Sequence, residues 1–129
     1  PDYLVDQVVA LIEETETMKN VIVSSFEFKN LVTTKSRMPD LSTALILEKG
    51  ISGFWDRHFF KHSINVDALH PSIGEVTEKL VRTEHLNHRK VRVWGVNESF
   101  DMMQMEKFGV DAIITDDPKL GLIYNLNQS

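Results

Sequence analysis

The sequence predicts an α/β fold built on a parallel sheet, and three observations carry that reading. Short apolar runs rich in Val, Ile and Leu recur along the chain. None alternates cleanly between apolar and polar residues, which is how strands covered on both faces read. Their starts lie roughly 20–25 residues apart, enough for a crossover helix and two loops.

The first element is a helix: Leu4, Val5, Val8, Val9, Leu11 and Ile12 form an apolar stripe at helical period, with acids on the other face. The first strand is Val21-Ile22-Val23-Ser24-Ser25-Phe26 and the second is Thr43-Ala44-Leu45-Ile46-Leu47. A less regular segment, GFWDRHFFKHS, which holds Phe54, Phe59 and Phe60, precedes the third strand, Ile64 to Leu69. Ser72-Ile73-Gly74-Glu75 has the spacing of a capping box and is expected to open a helix with Val76, Leu80 and Val81 inward. The fourth strand runs from Val91 to Asn97. Ser99 is expected to cap the helix holding Met102, Met103, Met105 and Phe108, with Gly109 as its left-handed stop. The fifth strand runs from Asp111 to Asp116, and a short helical tail starts near Pro118.

Two architectures fit this rhythm. One is a doubly wound, flavodoxin-like domain, for which 129 residues is a natural length. The other is part of a (β/α)8 barrel, which as a whole takes ~250 residues. Periodicity alone leaves both open. In either, chemistry sits at the C-terminal ends of the strands. Those ends hold Ser24, Ser25 and Phe26; Glu48 and Lys49; His70; Asn97; and Asp116 with Asp117.

Composition narrows the partners. The net charge is −5 and no segment gathers Lys and Arg, which argues against nucleic acid or an anionic membrane as main partner. No apolar run approaches the ~20 residues of a membrane span. The absence of Cys excludes disulfides, thiolate catalysis and Cys-ligated zinc, and leaves the compartment open. The start, Pro1-Asp2-Tyr3, carries no basic segment followed by an apolar core and no initiator Met.

Each candidate residue has two readings. Ser24 and Ser25 could bind a phosphate or form a turn. His70, before Pro71, could serve a site or simply pack. His58, His62, His85 and His88 fall in helical segments without the spacing of a zinc site. Asp116 and Asp117 precede Pro118, so either could be a helix cap; as cation ligands they would need a third oxygen, for which Glu48 is available. Trp94 must place a large ring and satisfy its indole N–H, either in the core or on a pocket wall. Asn97 could bind a ligand or hold its own loop.

The stretch VRVWGVN followed by DMMQMEKFGVDAIITDDP closely resembles the C-terminal motif of the glycerophosphodiester phosphodiesterases. That family shows V-x-V-W-T-V-N, a helix, and G-V-D-G-I-I-T-D-x-P. VIVSSFEFKNLVTTKSRMPDLSTALIL and DALHPSIGEVTEKLVRTEHLNHRKV extend the resemblance over essentially the whole chain. It implies a (β/α)8 TIM barrel in which residues 1–129 supply about the last five βα units of a single domain. It also implies a reaction in which a divalent cation, calcium or magnesium, polarises a phosphodiester. Two His residues act as general acid and base, giving glycerol 3-phosphate and an alcohol. The resemblance places the family's catalytic His and metal ligands in N-terminal His-Arg-Gly, Glu-x-Asp, Glu-x-Lys and His-Asp motifs; here there is no His-Arg-Gly, Glu-x-Asp or His-Asp, and no Glu-x-Lys strand before Val21. No catalytic or metal-binding residue therefore carries over. Substrate-binding positions do: Phe26 and Trp94 match the apolar wall, Asn97 closes the Trp motif, and Ser25 accompanies Phe26. Gly95 stands where the family usually has Thr, and Ala112 where it usually has Gly. The chain is expected to be a fragment, or to complete its barrel with a second chain or copy, and to be inactive alone. The alternative is a non-catalytic half-barrel that binds a phosphate ester or a protein partner.

Overall fold

The computed structural model describes residues 2–48 and 65–122. The GFWDRHFFKHS stretch with His58 and His62, and residues 123–129, lie outside the described residues.

The chain opens with α1 (Asp2–Thr15), which buries Val5, Val9 and Ile12 and packs on α2. A 3₁₀ turn, Met18–Asn20, leads into β1 (Ile22–Ser25) and α2 (Phe28–Arg37). Then come β2 (Ser42–Ile46), β3 (Ala68–His70) and α3 (Glu78–Leu86). The last elements are β4 (Lys90–Trp94), α4 (Ser99–Phe108) and β5 (Ala112–Ile114). Helical residues 118–122 follow, with Asp117 Oδ1 accepting the Leu120 N–H at 3.2 Å.

The sheet order decides between the two architectures. All strand pairs are parallel and the order is β1-β2-β3-β4-β5. A doubly wound sheet reverses direction at a switch point. Here each strand is laid beside its predecessor in one direction, as in a barrel. Among the described residues, β1 and β5 are the two edges.

The helices pack against one face. Leu31 of α2 meets Leu45 and Leu69, with Val23 against them. Leu80 and Val81 of α3, and Met102 and Met105 of α4, meet Val91 and Val93, with Ile113 beside them. Full burial of one such side chain stabilises by about 1.5–3 kcal/mol. The alternate residues turn to the other face. In register there are Ser24 beside Ala44, Ile46 beside His70, Arg92 beside Ala112, and Trp94 beside Ile114.

Two helix starts differ from the sequence reading. Ser72 opens no helix: its carbonyl accepts Glu75 and Val76 N–H in a turn, and its backbone bridges to Trp94. Pairing with β4 therefore continues past His70, and the helix begins only after Thr77, whose Oγ1 accepts the Leu80 N–H at 3.0 Å. Ser99 is the first helical residue and not the cap, which is Glu98 without a side-chain bond. Gly109 ends α4 at φ 78°, as its sequence position predicts.

Candidate functional site

The face left uncovered by helices forms a cleft of about 270 Å³, lined by Ser24, Phe26, Ile46, His70, Trp94 and Ile114. These residues come from the C-terminal ends of the five strands, or just beyond them. Two-residue alternation sends them to one side, and the parallel register sets them side by side. The walls are mostly apolar.

Trp94 is held in place. Its indole Nε1 donates to the His70 carbonyl at 3.0 Å. Its backbone N–H donates to the Pro71 carbonyl, and its carbonyl accepts the Ile73 N–H. The ring is thus fixed, with its N–H already satisfied. Phe26 lies across the cleft mouth on the β1 side and is 54% exposed.

His70 is the titratable member of the cleft lining and is itself buried. Burial, assisted by the charge of Arg92, pushes its pKa down to about 4. The imidazole is therefore neutral near pH 7. Its Nε2 accepts from Arg92 Nη1 at 3.3 Å.

Ser25 and Asn97 are placed elsewhere. Ser25 points to the helix side, where its Oγ accepts the Glu27 N–H at 3.0 Å. It lines a separate cavity of about 130 Å³ with Leu4, Val5 and Val8. Asn97 spans two strand exits: its Oδ1 accepts from Asp116 N–H (2.8 Å) and Thr115 Oγ1 (3.1 Å), and its Nδ2 donates to Asp116 Oδ2 (3.2 Å). It ties the β4 exit to the β5 exit beside the cleft. Gly95 at this rim adopts φ 78°, a backbone state that glycine takes without penalty.

The structure thus brings Phe26 and Trp94 together in the cleft, and adds His70, Ile46 and Ile114. Arg92 was not among the candidates, although the strand pattern carries a signal for it. It stands between Val91 and Val93, both 0% exposed, so alternation places it on the face of Trp94. Among the described residues, no group of three or more His, Asp or Glu side chains converges as a metal site.

Comparison with known proteins gives a consistent picture. The model of the Glycerophosphoryl diester phosphodiesterase family matches residues 3–120. A glycerophosphodiester phosphodiesterase of Caldanaerobacter subterraneus subsp. tengcongensis is 32% identical over 114 residues, which are 88% of this chain and 46% of that protein. The chain spans about half the length of the curated relatives it matches. A crystal structure from Silicibacter pomeroyi DSS-3, named for the same activity, superposes with a TM-score of 0.87 at 25% identity, covering 98% of this chain and 45% of that one. An Oleispira antarctica phosphodiesterase, solved with the product sn-glycerol-3-phosphate, shares the fold with a TM-score of 0.63 at 19% identity, over 80% of this chain and 43% of that one.

Proposed function

Because this chain belongs to the glycerophosphoryl diester phosphodiesterase family, we propose that the protein carrying it hydrolyses glycerophosphodiesters to glycerol 3-phosphate and an alcohol. The observation that carries this reading is the cleft at the C-terminal strand ends, where barrel enzymes hold their substrates, with Trp94 and Phe26 as its walls.

The geometry of the cleft supports the following roles for this chain's residues. Trp94, Phe26, Ile46 and Ile114 give the carbon skeleton of the substrate an apolar surface and exclude water from it. His70, neutral near pH 7, adds no positive charge to the cleft lining. Asn97 and Asp116 fix the rim.

The divalent cation, calcium or magnesium, would polarise the phosphoryl group when bound. The described residues gather no carboxylate set that fits it. Its ligands, and the His pair acting as general acid and base, are assigned to other units of the barrel. The 129-residue chain by itself is then without phosphodiesterase activity.

The test is hydrolysis of glycerophosphocholine by the intact polypeptide in calcium or magnesium, followed by phosphorus NMR. Release of glycerol 3-phosphate is expected. Binding of glycerol 3-phosphate without turnover under either cation would favour a non-catalytic half-barrel module.

A further inference from the structure

We infer that Arg92, oriented by His70, is a substrate-anchoring residue that takes the anionic phosphate oxygens of the ligand in the cleft. As a statement about substrate it rests on the phosphodiesterase reading.

The placement comes from the strand. Val91 and Val93 are fully buried on the helix side, so Arg92 leaves the opposite face, two residues before Trp94. The parallel register, with Leu69 beside Val91, brings Arg92 level with His70. Nη1 lies 3.3 Å from Nε2 of His70, the last residue of β3 and a lining residue of the cleft. The guanidinium is therefore held against a residue that lines the cleft.

Among the described residues its charge meets no carboxylate. The ion pairs seen among the described residues join Lys35 to Asp67, Arg37 to Asp6, Arg82 to Glu78, His85 to Asp111 and Arg89 to Glu84. None includes Arg92, whose one polar side-chain partner among the described residues is the neutral ring of His70. A neutral acceptor orients a guanidinium without neutralising it. Arg89, buried in the same sheet region, shows the contrast: it meets Glu84 at 2.8 Å. A cation among apolar walls calls for an anion.

The shape selects which anion. His70 occupies one Nη1 donor and leaves the rest of the planar fork. That fork matches the two non-bridging oxygens of a phosphodiester, or those of a phosphate monoester. Trp94 cannot supply the polar contact, because its N–H is given to His70. Aromatic wall and anion anchor therefore divide the ligand between carbon skeleton and phosphate.

The test uses the intact polypeptide and three variants, Arg92→Gln, Arg92→Lys and His70→Gln. Affinity for sn-glycerol 3-phosphate is measured by calorimetry without divalent cation, with glycerol as the uncharged control. Arg92→Gln is expected to weaken glycerol 3-phosphate binding roughly 10- to 100-fold and to leave glycerol unaffected. Arg92→Lys, which retains charge and stem and so keeps the test if the Gln variant does not fold, recovers only part of the affinity. His70→Gln keeps an acceptor for the guanidinium and loses little. In turnover, KM rises more than kcat falls. A lowered melting temperature with unchanged glycerol 3-phosphate affinity in both Arg92 variants would overturn the proposal and assign Arg92 to a carboxylate elsewhere in the protein. Arg92-dependent binding without hydrolysis by the wild type would leave the anchor standing and sink the phosphodiesterase reading.

Discussion

Asp111 and Val91 bind each other twice. The Asp111 backbone N–H donates to the Val91 carbonyl at 2.8 Å, and the Asp111 carboxylate accepts the Val91 N–H at 2.7 Å. Asp67 and Thr43 repeat the arrangement at 2.9 and 2.8 Å. Each carboxylate also meets a side chain from the helix that precedes its partner strand: His85 of α3 at 2.8 Å and Lys35 of α2 at 2.9 Å. The two sites share a Val-Asp-Ala pattern followed by Leu or Ile, Val66-Asp67-Ala68-Leu69 and Val110-Asp111-Ala112-Ile113. An aspartate just before one strand thus locks the second residue of the strand before it and sets the parallel register. Replacing either by Ala strands a strand N–H and removes the charged bond. Each change is expected to cost about 1–3 kcal/mol in denaturant unfolding. The two losses should be nearly additive, because the sites share no partner.

The same groups set the acid response. Burial alone would raise the Asp67 carboxyl, but bonds from Lys35 and the Thr43 N–H bring it below its ordinary value. Burial likewise works against Asp111, and the Val91 N–H, His85 and Lys90 outweigh it. A carboxyl depressed on folding contributes stability above its unfolded pKa and loses it as pH falls through the folded value. His70 acts in an earlier window. It takes up a proton near pH 6.5 when unfolded and only near 4 when folded, so stability drops as pH falls between those values. Unfolding midpoints across that range should decline in the wild type and decline less in His70→Gln. Equal slopes would remove His70 from the explanation.

Two left-handed residues predict opposite outcomes. His88 follows α3 at φ 62°, where a side chain is strained, and His88→Gly should stabilise by roughly 1 kcal/mol. Gly95 has φ 78°, and an added Cβ would meet only Ile73 Cγ2, at an ordinary 3.6 Å. Space is available, so the cost of Gly95→Ala is the backbone's own, about 1–2 kcal/mol destabilising. Thermal melts of the two single variants check the sign.

Trp94 and Asn97 separate wall from frame. Trp94→Phe keeps an apolar wall but loses the bond to the His70 carbonyl, so KM should change modestly while Trp94→Ala raises it strongly. Asn97→Ala removes three bonds to Thr115 and Asp116 at an exposed rim, with an expected stability loss of about 1 kcal/mol. Steady-state kinetics and melts on the same samples distinguish the two roles.

The strands were legible because parallel strands covered on both faces concentrate Val, Ile and Leu, and the helical spacers kept their period. Helix starts were less so. Ser72 and Glu75 have the capping-box residues, but pairing between Ser72 and Trp94 holds that backbone in the sheet, and Thr77 takes the cap. Long-range pairing decided the outcome, and no local pattern records it. The site divides in the same way. In Ser24-Ser25 both residues are small and polar, so their side chains alone do not tell them apart; in the structure Ser24 lines the cleft and also touches the helix-side cavity, while Ser25 lines only the latter. Arg92 was readable from alternation alone. Its partner His70 was not, because the two meet only when β3 and β4 are aligned.

The most direct measurement is a crystal structure of the intact polypeptide with sn-glycerol 3-phosphate bound. The expected result places the glycerol carbons against Trp94 and Phe26, with phosphate oxygens within hydrogen-bond distance of the Arg92 guanidinium. A ligand seated away from the strand ends, with Trp94 and Phe26 facing empty solvent, would contradict it.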